Sequence, residues 1–118
     1  MAYNTFSNTV TIANGASLSS AIAINGSTPV AIIAPAAWTA AHVQIEVSLN
    51  GTDFFPLRDQ ATTLVQVHIT AGGANTLPPS LVNGWDFIRL RSVTATTLTD
   101  VNQGADRVIT IVTQKFST

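Results

Sequence analysis

His42-Val43-Gln44-Ile45-Glu46-Val47-Ser48-Leu49 alternates apolar and polar side chains without a break. Successive side chains of a strand point to opposite faces, so Val43, Ile45, Val47 and Leu49 form one apolar face. Gln44, Glu46 and Ser48 form the opposite, polar face. Asn50-Gly51 follows at once, a pair that tolerates the positive φ of a tight turn. These residues predict a half-buried strand in a sheet with one face on a core.

The same period of two recurs on either side. Thr63–Thr70 places Val65, Val67 and Ile69 inward, and Phe87–Val93 places Ile88 and Leu90 inward with Arg89 and Arg91 outward. Arg107–Phe116 is predicted as the last strand. Thr9–Ala13, Ser20–Ile24 and Val30–Ala34 are predicted as shorter ones, the last buried on both faces. Ala36–Ala41 is predicted as a helical turn, and Leu77–Val82 as a loop with a short turn of helix. Asn14-Gly15, Asn25-Gly26, Asn50-Gly51 and Asn83-Gly84, with Gly72-Gly73, are read as hairpin turns. The chain is therefore expected to be all-β, a single-domain antiparallel β-sandwich or jelly roll of about seven to eight strands. Residues 1–15 are assigned to an N-terminal arm (Met1–Ser7) and first strand, and residues 16–118 to the sandwich.

Composition narrows the function. The 118 residues fit one domain. Charged residues make up 9%, against about 25% in an ordinary soluble domain. Nine Ser and 17 Thr keep the surface wet instead, and Thr suits a pleated strand. A net charge of −1 gives no electrostatic footprint for a phosphate backbone, so no nucleic-acid partner is expected. Strand edges are commonly guarded by charge, yet Lys115 is the sole lysine. The expectation is that another protein covers part of the surface. There is no cysteine, so no thiol chemistry is available. The first basic side chain is Arg58 and the longest apolar stretch, Pro29–Trp38, is too short for a bilayer span. Neither a signal peptide nor a membrane partner is expected, and synthesis is placed in the cytoplasm.

Residues able to carry chemistry are few. Only His42 and His68 are of a residue type that could serve as a base near neutral pH, and no nucleophile elbow or phosphate loop occurs. No catalytic residue, no cofactor and no enzyme activity are expected. His42, Glu46 and His68 share the polar phase and would converge on zinc if their strands were neighbours. No ligand spacing matches a metal motif, so no metal site is expected. Arg89 and Arg91 project from one strand face toward a carboxylate or phosphate, with Asp86, Asp100 and Asp106 as intramolecular partners. In Asn102-Gln103-Gly104-Ala105-Asp106-Arg107 the Asp and Arg are expected to pin the loop to the sheet. Trp38 and Trp85 each flank a strand, as core or rim residues or as sugar-stacking platforms. Phe54-Phe55-Pro56-Leu57 must expose a large side chain if it is a strand, which makes Phe54 or Phe55 an interface anchor. Trp38, Phe54, Phe55, Trp85, Arg89 and Arg91 are thus the candidate interface residues.

Two resemblances lie on these residues. Val47-Ser48-Leu49-Asn50-Gly51-Thr52-Asp53-Phe54 with Phe87-Ile88-Arg89-Leu90-Arg91 resembles the discoidin, or galactose-binding-like, jelly rolls. Asn50 stands where those domains usually carry aspartate, and their frequent disulfide is absent. More of the chain, from Ala16 onward, resembles a family of small structural proteins of tailed bacteriophages and prophages. Ala36-Ala37-Trp38-Thr39-Ala40-Ala41, Asn50–Leu57, Gly84–Ser92 and Val101–Arg107 carry that second resemblance, in that order. It implies a virion component, most specifically a capsid decoration (cement) protein whose partners are the major capsid protein and further copies of itself in a homotrimer. The alternative is a carbohydrate-binding module of a phage tail or fibre, or of a bacterial surface protein, using Trp38 or Trp85.

Overall fold

The computed structural model describes residues 2–77 and 82–117, with side-chain detail for residues 4–77 and 82–115. Nine strands lie among the described residues. β1 (Ala2–Ile12), β3 (Thr28–Ile33), β7 (Ala74–Thr76) and β9 (Arg107–Ser117) form a four-stranded antiparallel sheet in the order β1-β9-β3-β7. β2 (Ile22–Ala23), β8 (Phe87–Val93), β4 (His42–Ser48) and β5 (Phe55–Pro56) form the second sheet in that order, and β6 (Gln66–Val67) pairs with β4 as well. Two antiparallel sheets packed face to face make the predicted β-sandwich. The count exceeds the predicted range because β7 was not predicted; β2 and β6 are two-residue remnants of predicted strands.

Alternation seals the core. Val43, Ile45 and Val47 of β4 and Ile88 and Leu90 of β8 face Val10 and Ile12 of β1, Ile32 of β3, and Ile109 and Ile111 of β9, all essentially without solvent contact. At about 25 cal/mol per Å² of apolar surface removed from water, this double layer is the main stabilising term. Val65 and Val67 point inward as predicted. Only Gln66–Val67 of that segment pairs as a strand, however.

Several expectations are corrected. Ala2–Ser7 is not an arm, because β1 pairs with β9 from Ala2↔Ser117 to Ile12↔Arg107. Of its polar side chains Asn8 turns to the sheet, where its Nδ2 donates to Thr113 Oγ1 at 3.2 Å. β3 is not buried on both faces, since Ile32 is inside while Ile33 lies on an uncovered outer face. A bulge at Pro29/Ala31 absorbs the proline, which has no N–H for the ladder. Over Ala36–Ala41 the structure has a turn at Ala36–Ala37 and no helix. The segment 78–81 of the predicted loop lies outside the described residues.

The Asn-Gly pairs also do different work from the one predicted. Only Asn50-Gly51 joins two strands that pair with each other, β4 and β5. Asn25-Gly26, with φ of 54° and 77°, carries the chain from β2 in one sheet to β3 in the other. Asn14-Gly15 also lies between strands of different sheets. Asn83-Gly84 leads into β8 after β7 of the opposite sheet.

At one end of the sandwich the Asp and Arg of the Asn102–Arg107 loop pin it to neighbouring loops and not to the sheet. Asp106 accepts the Asn14 N–H at 2.8 Å, and Arg107 donates to Thr39 Oγ1 at 3.2 Å. The clamp's centre is the buried Gln103 amide, which accepts the Thr39 N–H at 2.9 Å and donates to the Thr39 carbonyl at 3.2 Å.

Candidate functional site

The opposite end of the sandwich is where candidate residues gather. Its position follows from register: Ala23 pairs with Phe87 and Phe87 with Ser48, which puts the ends of β2 and β4 beside the start of β8. The Asn25-Gly26 corner then delivers Thr28 opposite Gln114, itself paired with Thr5. Both sheets run past their covers here. The inward phase of β1 continues from Val10 through Asn8 to Phe6, which is 46% exposed. The inward phase of β4 continues from Val47 to Leu49, 65% exposed, and Phe55, the cross-strand partner of Val47, is 61% exposed.

Two hollows mark this end. One of about 280 Å³ lies among Phe6, Asn8, Ile24, Asn25, Thr113 and Lys115. The other, about 330 Å³, is lined by Leu49, Asn50, Asp53, Phe55 and Trp85. A stiff loop builds the second hollow. Ser48 Oγ accepts the Gly51 N–H at 2.9 Å, and Asn50 Oδ1 accepts the N–H groups of Thr52 and Asp53, each at 2.8 Å. Asn50 Nδ2 donates to Asp53 Oδ2 at 2.9 Å. Gly51 has φ of 79°, which favours glycine, and a Cβ there would press on the Phe87 ring at 3.2 Å. Leu49 and Phe55 are thereby held outward on a fixed turn.

The remaining candidates sort differently. Trp38 is buried, 8% exposed, and its Nε1 donates to the Ala41 carbonyl at 3.1 Å. It is a core residue and not an interface one. Trp85 is half-buried, with its remaining surface on the second hollow. Arg89 and Arg91 do not reach into solvent for a ligand. Glu46, 4% exposed, accepts Arg89 Nε at 2.7 Å and Arg91 Nε at 2.9 Å, and Arg91 also meets Asp100 at 3.1 Å. The Arg89 guanidinium lies 4.1 Å from the centroid of Phe54. Burial works to lower the Arg91 pKa, but the hydrogen bond and charge of Glu46, then those of Asp100, together hold it above its ordinary value. Phe54, Arg89 and Arg91 are therefore one internally satisfied cluster on the outer face of the five-stranded sheet.

His42 and His68 come together on that same outer face, with ring centroids 4.1 Å apart. Glu46 does not join them, being committed to its arginines. Among the described residues no three His, Asp or Glu side chains converge as metal ligands.

Phe6 and Leu49 were not among the sequence-derived interface candidates. Both sit on strand faces whose neighbours are buried, so their phase assigns them to the core. What exposes them is the length of the opposite sheet. The signal available in the sequence was Phe6-x-Asn8-x-Val10-x-Ile12, an inward phase interrupted by the polar Asn8 and reaching back into the supposed arm.

No protein-family model matches the chain, and no curated protein matches it at sequence level. The fold is similar to that in the crystal structure of the SPBc2 prophage-derived protein YomS, with a TM-score of 0.56 over 95% of this chain and 96% of that one at 8% identity.

Proposed function

We propose that the chain is a structural protein of a tailed-phage particle and, more specifically, a capsid decoration protein that docks on the assembled head. The observation that carries this reading is the apolar end of the sandwich, where Phe6, Leu49, Phe55 and Trp85 meet solvent on fixed backbone. Exposed aromatic anchors on a rigid frame are what a protein interface uses. β1 supports it from a second direction: it is an edge strand without one charged side chain, crossed near its end where Ile12 bridges Ser19 and Thr11 accepts the Ser20 N–H, with no strand paired along the stretch before that among the described residues. Long edges are commonly defended by Lys, Pro or a bulge, and an undefended one is suited to coverage by another subunit. Similarity in fold to a prophage-derived protein across nearly the whole chain agrees with a phage setting.

The mechanism is linkage, not catalysis. A protein that binds only the assembled shell stabilises that state by mass action. Several contacts made at once by a trimer add avidity without any new chemistry. Co-sedimentation with undecorated capsids is the test, with light scattering of the free protein to read its oligomeric state. Saturable binding that Leu49→Asp with Phe55→Asp abolishes, in a variant that still folds, is the expected result. Undiminished binding by that variant, or no binding to capsids at any concentration, overturns it.

A carbohydrate-binding role is favoured by one observation, the side-by-side placement of Trp85, Phe55, Asn50 and Asp53 around the second hollow. Because Trp38 is buried, saccharide-dependent fluorescence quenching would report Trp85 alone. Quenching that Trp85→Phe removes supports this second reading over the first.

A further inference from the structure

The geometry points to a two-imidazole binding site for a divalent first-row transition-metal cation at His42 and His68. The inference stands apart from the virion reading and shares none of its residues. Val43↔Val67 and Gln44↔Gln66 pair antiparallel, and one more step of that register sets His42 opposite His68. Directly opposed side chains on one face have Cβ atoms about 4.5–5.5 Å apart. The two rings accordingly lie with centroids 4.1 Å apart and planes at 44°.

Metal–nitrogen bonds of about 2.1 Å bring two imidazole centroids on one ion to about 4.5 Å when the ligands are cis. The observed pair is a few tenths of an ångström tighter, a gap that a small rotation of the exposed His68 opens. The surroundings leave donor atoms spare. His42 Nδ1 is buried with no hydrogen-bond partner, and so is Gln66 Oε1, although Gln66 Nε2 donates to the Ala95 carbonyl at 3.1 Å. Gln44 and Gln66 pair one row along the same face, so the amide oxygen belongs to the same patch as the rings. Glu46, two residues along β4, has both oxygens taken by Arg89 and Arg91.

Neutral nitrogen donors with an amide oxygen suit Zn²⁺, Ni²⁺ and Cu²⁺, and not Mg²⁺ or Ca²⁺, which need an oxygen shell. Two protein nitrogens leave coordination positions for water or for a donor from a bound partner. The Irving–Williams order then makes Cu²⁺ the tightest of the three.

Calorimetric titration of the full chain at neutral pH with Cu²⁺, Ni²⁺, Zn²⁺ and Mg²⁺ tests the site, with the Cu²⁺ complex also followed by electron paramagnetic resonance. One Cu²⁺ per chain, nitrogen hyperfine structure from two imidazoles and no Mg²⁺ binding are expected. His68→Ala, an exposed change that leaves the fold intact by circular dichroism, should weaken Cu²⁺ at least tenfold and reduce the spectrum to one imidazole. His42→Gln should do the same. Absence of a one-to-one Cu²⁺ complex, or one that persists unchanged in His68→Ala, overturns the assignment, the latter result placing the ion elsewhere on the chain.

Discussion

The two outer faces of the sandwich have the same pattern in sequence and opposite fates in space. On the four-stranded sheet, Thr5, Thr9 and Thr11 of β1 and Val108 of β9 stand in solvent. On the five-stranded sheet, Gln44, Glu46 and Ser48 occupy equivalent outward positions and are buried. The difference is what lies above. Loop 49–54 folds back so that Phe54 packs on Arg89, and Asp100 pairs with both Val93 and Arg91. An outward polar position is thus solvated only where no loop returns across it. Where one does, the charged groups are satisfied by each other, because an unpaired buried charge is far costlier than a lost surface contact.

Removing Glu46 should show this most strongly. Glu46→Ala leaves two part-buried guanidinium groups facing a void, and the expected loss is about 2–4 kcal/mol, read as a lower urea midpoint at unchanged slope. A loss below about 0.5 kcal/mol, the usual scale of a surface substitution, would place the outer cluster with the solvated face and erase the contrast.

Next comes the turn that carries Leu49 and Phe55. Gly51→Ala combines a left-handed backbone with a ring contact and should cost about 1–2 kcal/mol. A neutral result in thermal melts would mean the loop is free to rearrange, and the apolar end would lose its fixed frame.

Smaller effects follow at the cluster's rim. Asp100→Asn removes the exposed arm of the network, so its cost should stay within about 1 kcal/mol and shrink in salt. Arg91 has its pKa raised on folding, so its contribution is complete below its ordinary value and is lost only as pH climbs through the raised one. Stability measured in Asp100→Asn and in the parent should accordingly show no Arg91-dependent slope between about pH 5 and 9. The smallest effect belongs to the solvated sheet: Thr9→Ala should change stability by no more than about 0.5 kcal/mol in the same urea series.

How much was legible in the residues depends on range. The inward phases of β4 and β8, and of Val65 and Val67, were readable because alternation is a local consequence of strand geometry. Asp100 was readable as an available partner of Arg91, though not that Glu46 would take both arginines. That choice depends on Gln44↔Arg91 and Glu46↔Arg89 being cross-strand neighbours, a matter of register between distant segments. The arm was misread for a similar reason. Asn4–Thr11 is polar and weakly periodic, and it is a strand because β9 offers it an 11-residue partner.

The sequence by itself determined the fold class, the inward side chains and the near absence of charge, since each is a property of single residues or of short-range periodicity. Only the tertiary structure decided which apolar faces run out of cover, which polar faces are roofed, and that His42 faces His68. Those outcomes depend on the relative lengths of two sheets and on loops returning from far along the chain, and hydrophobic burial acts on the surface that packing leaves exposed, not on residue type alone.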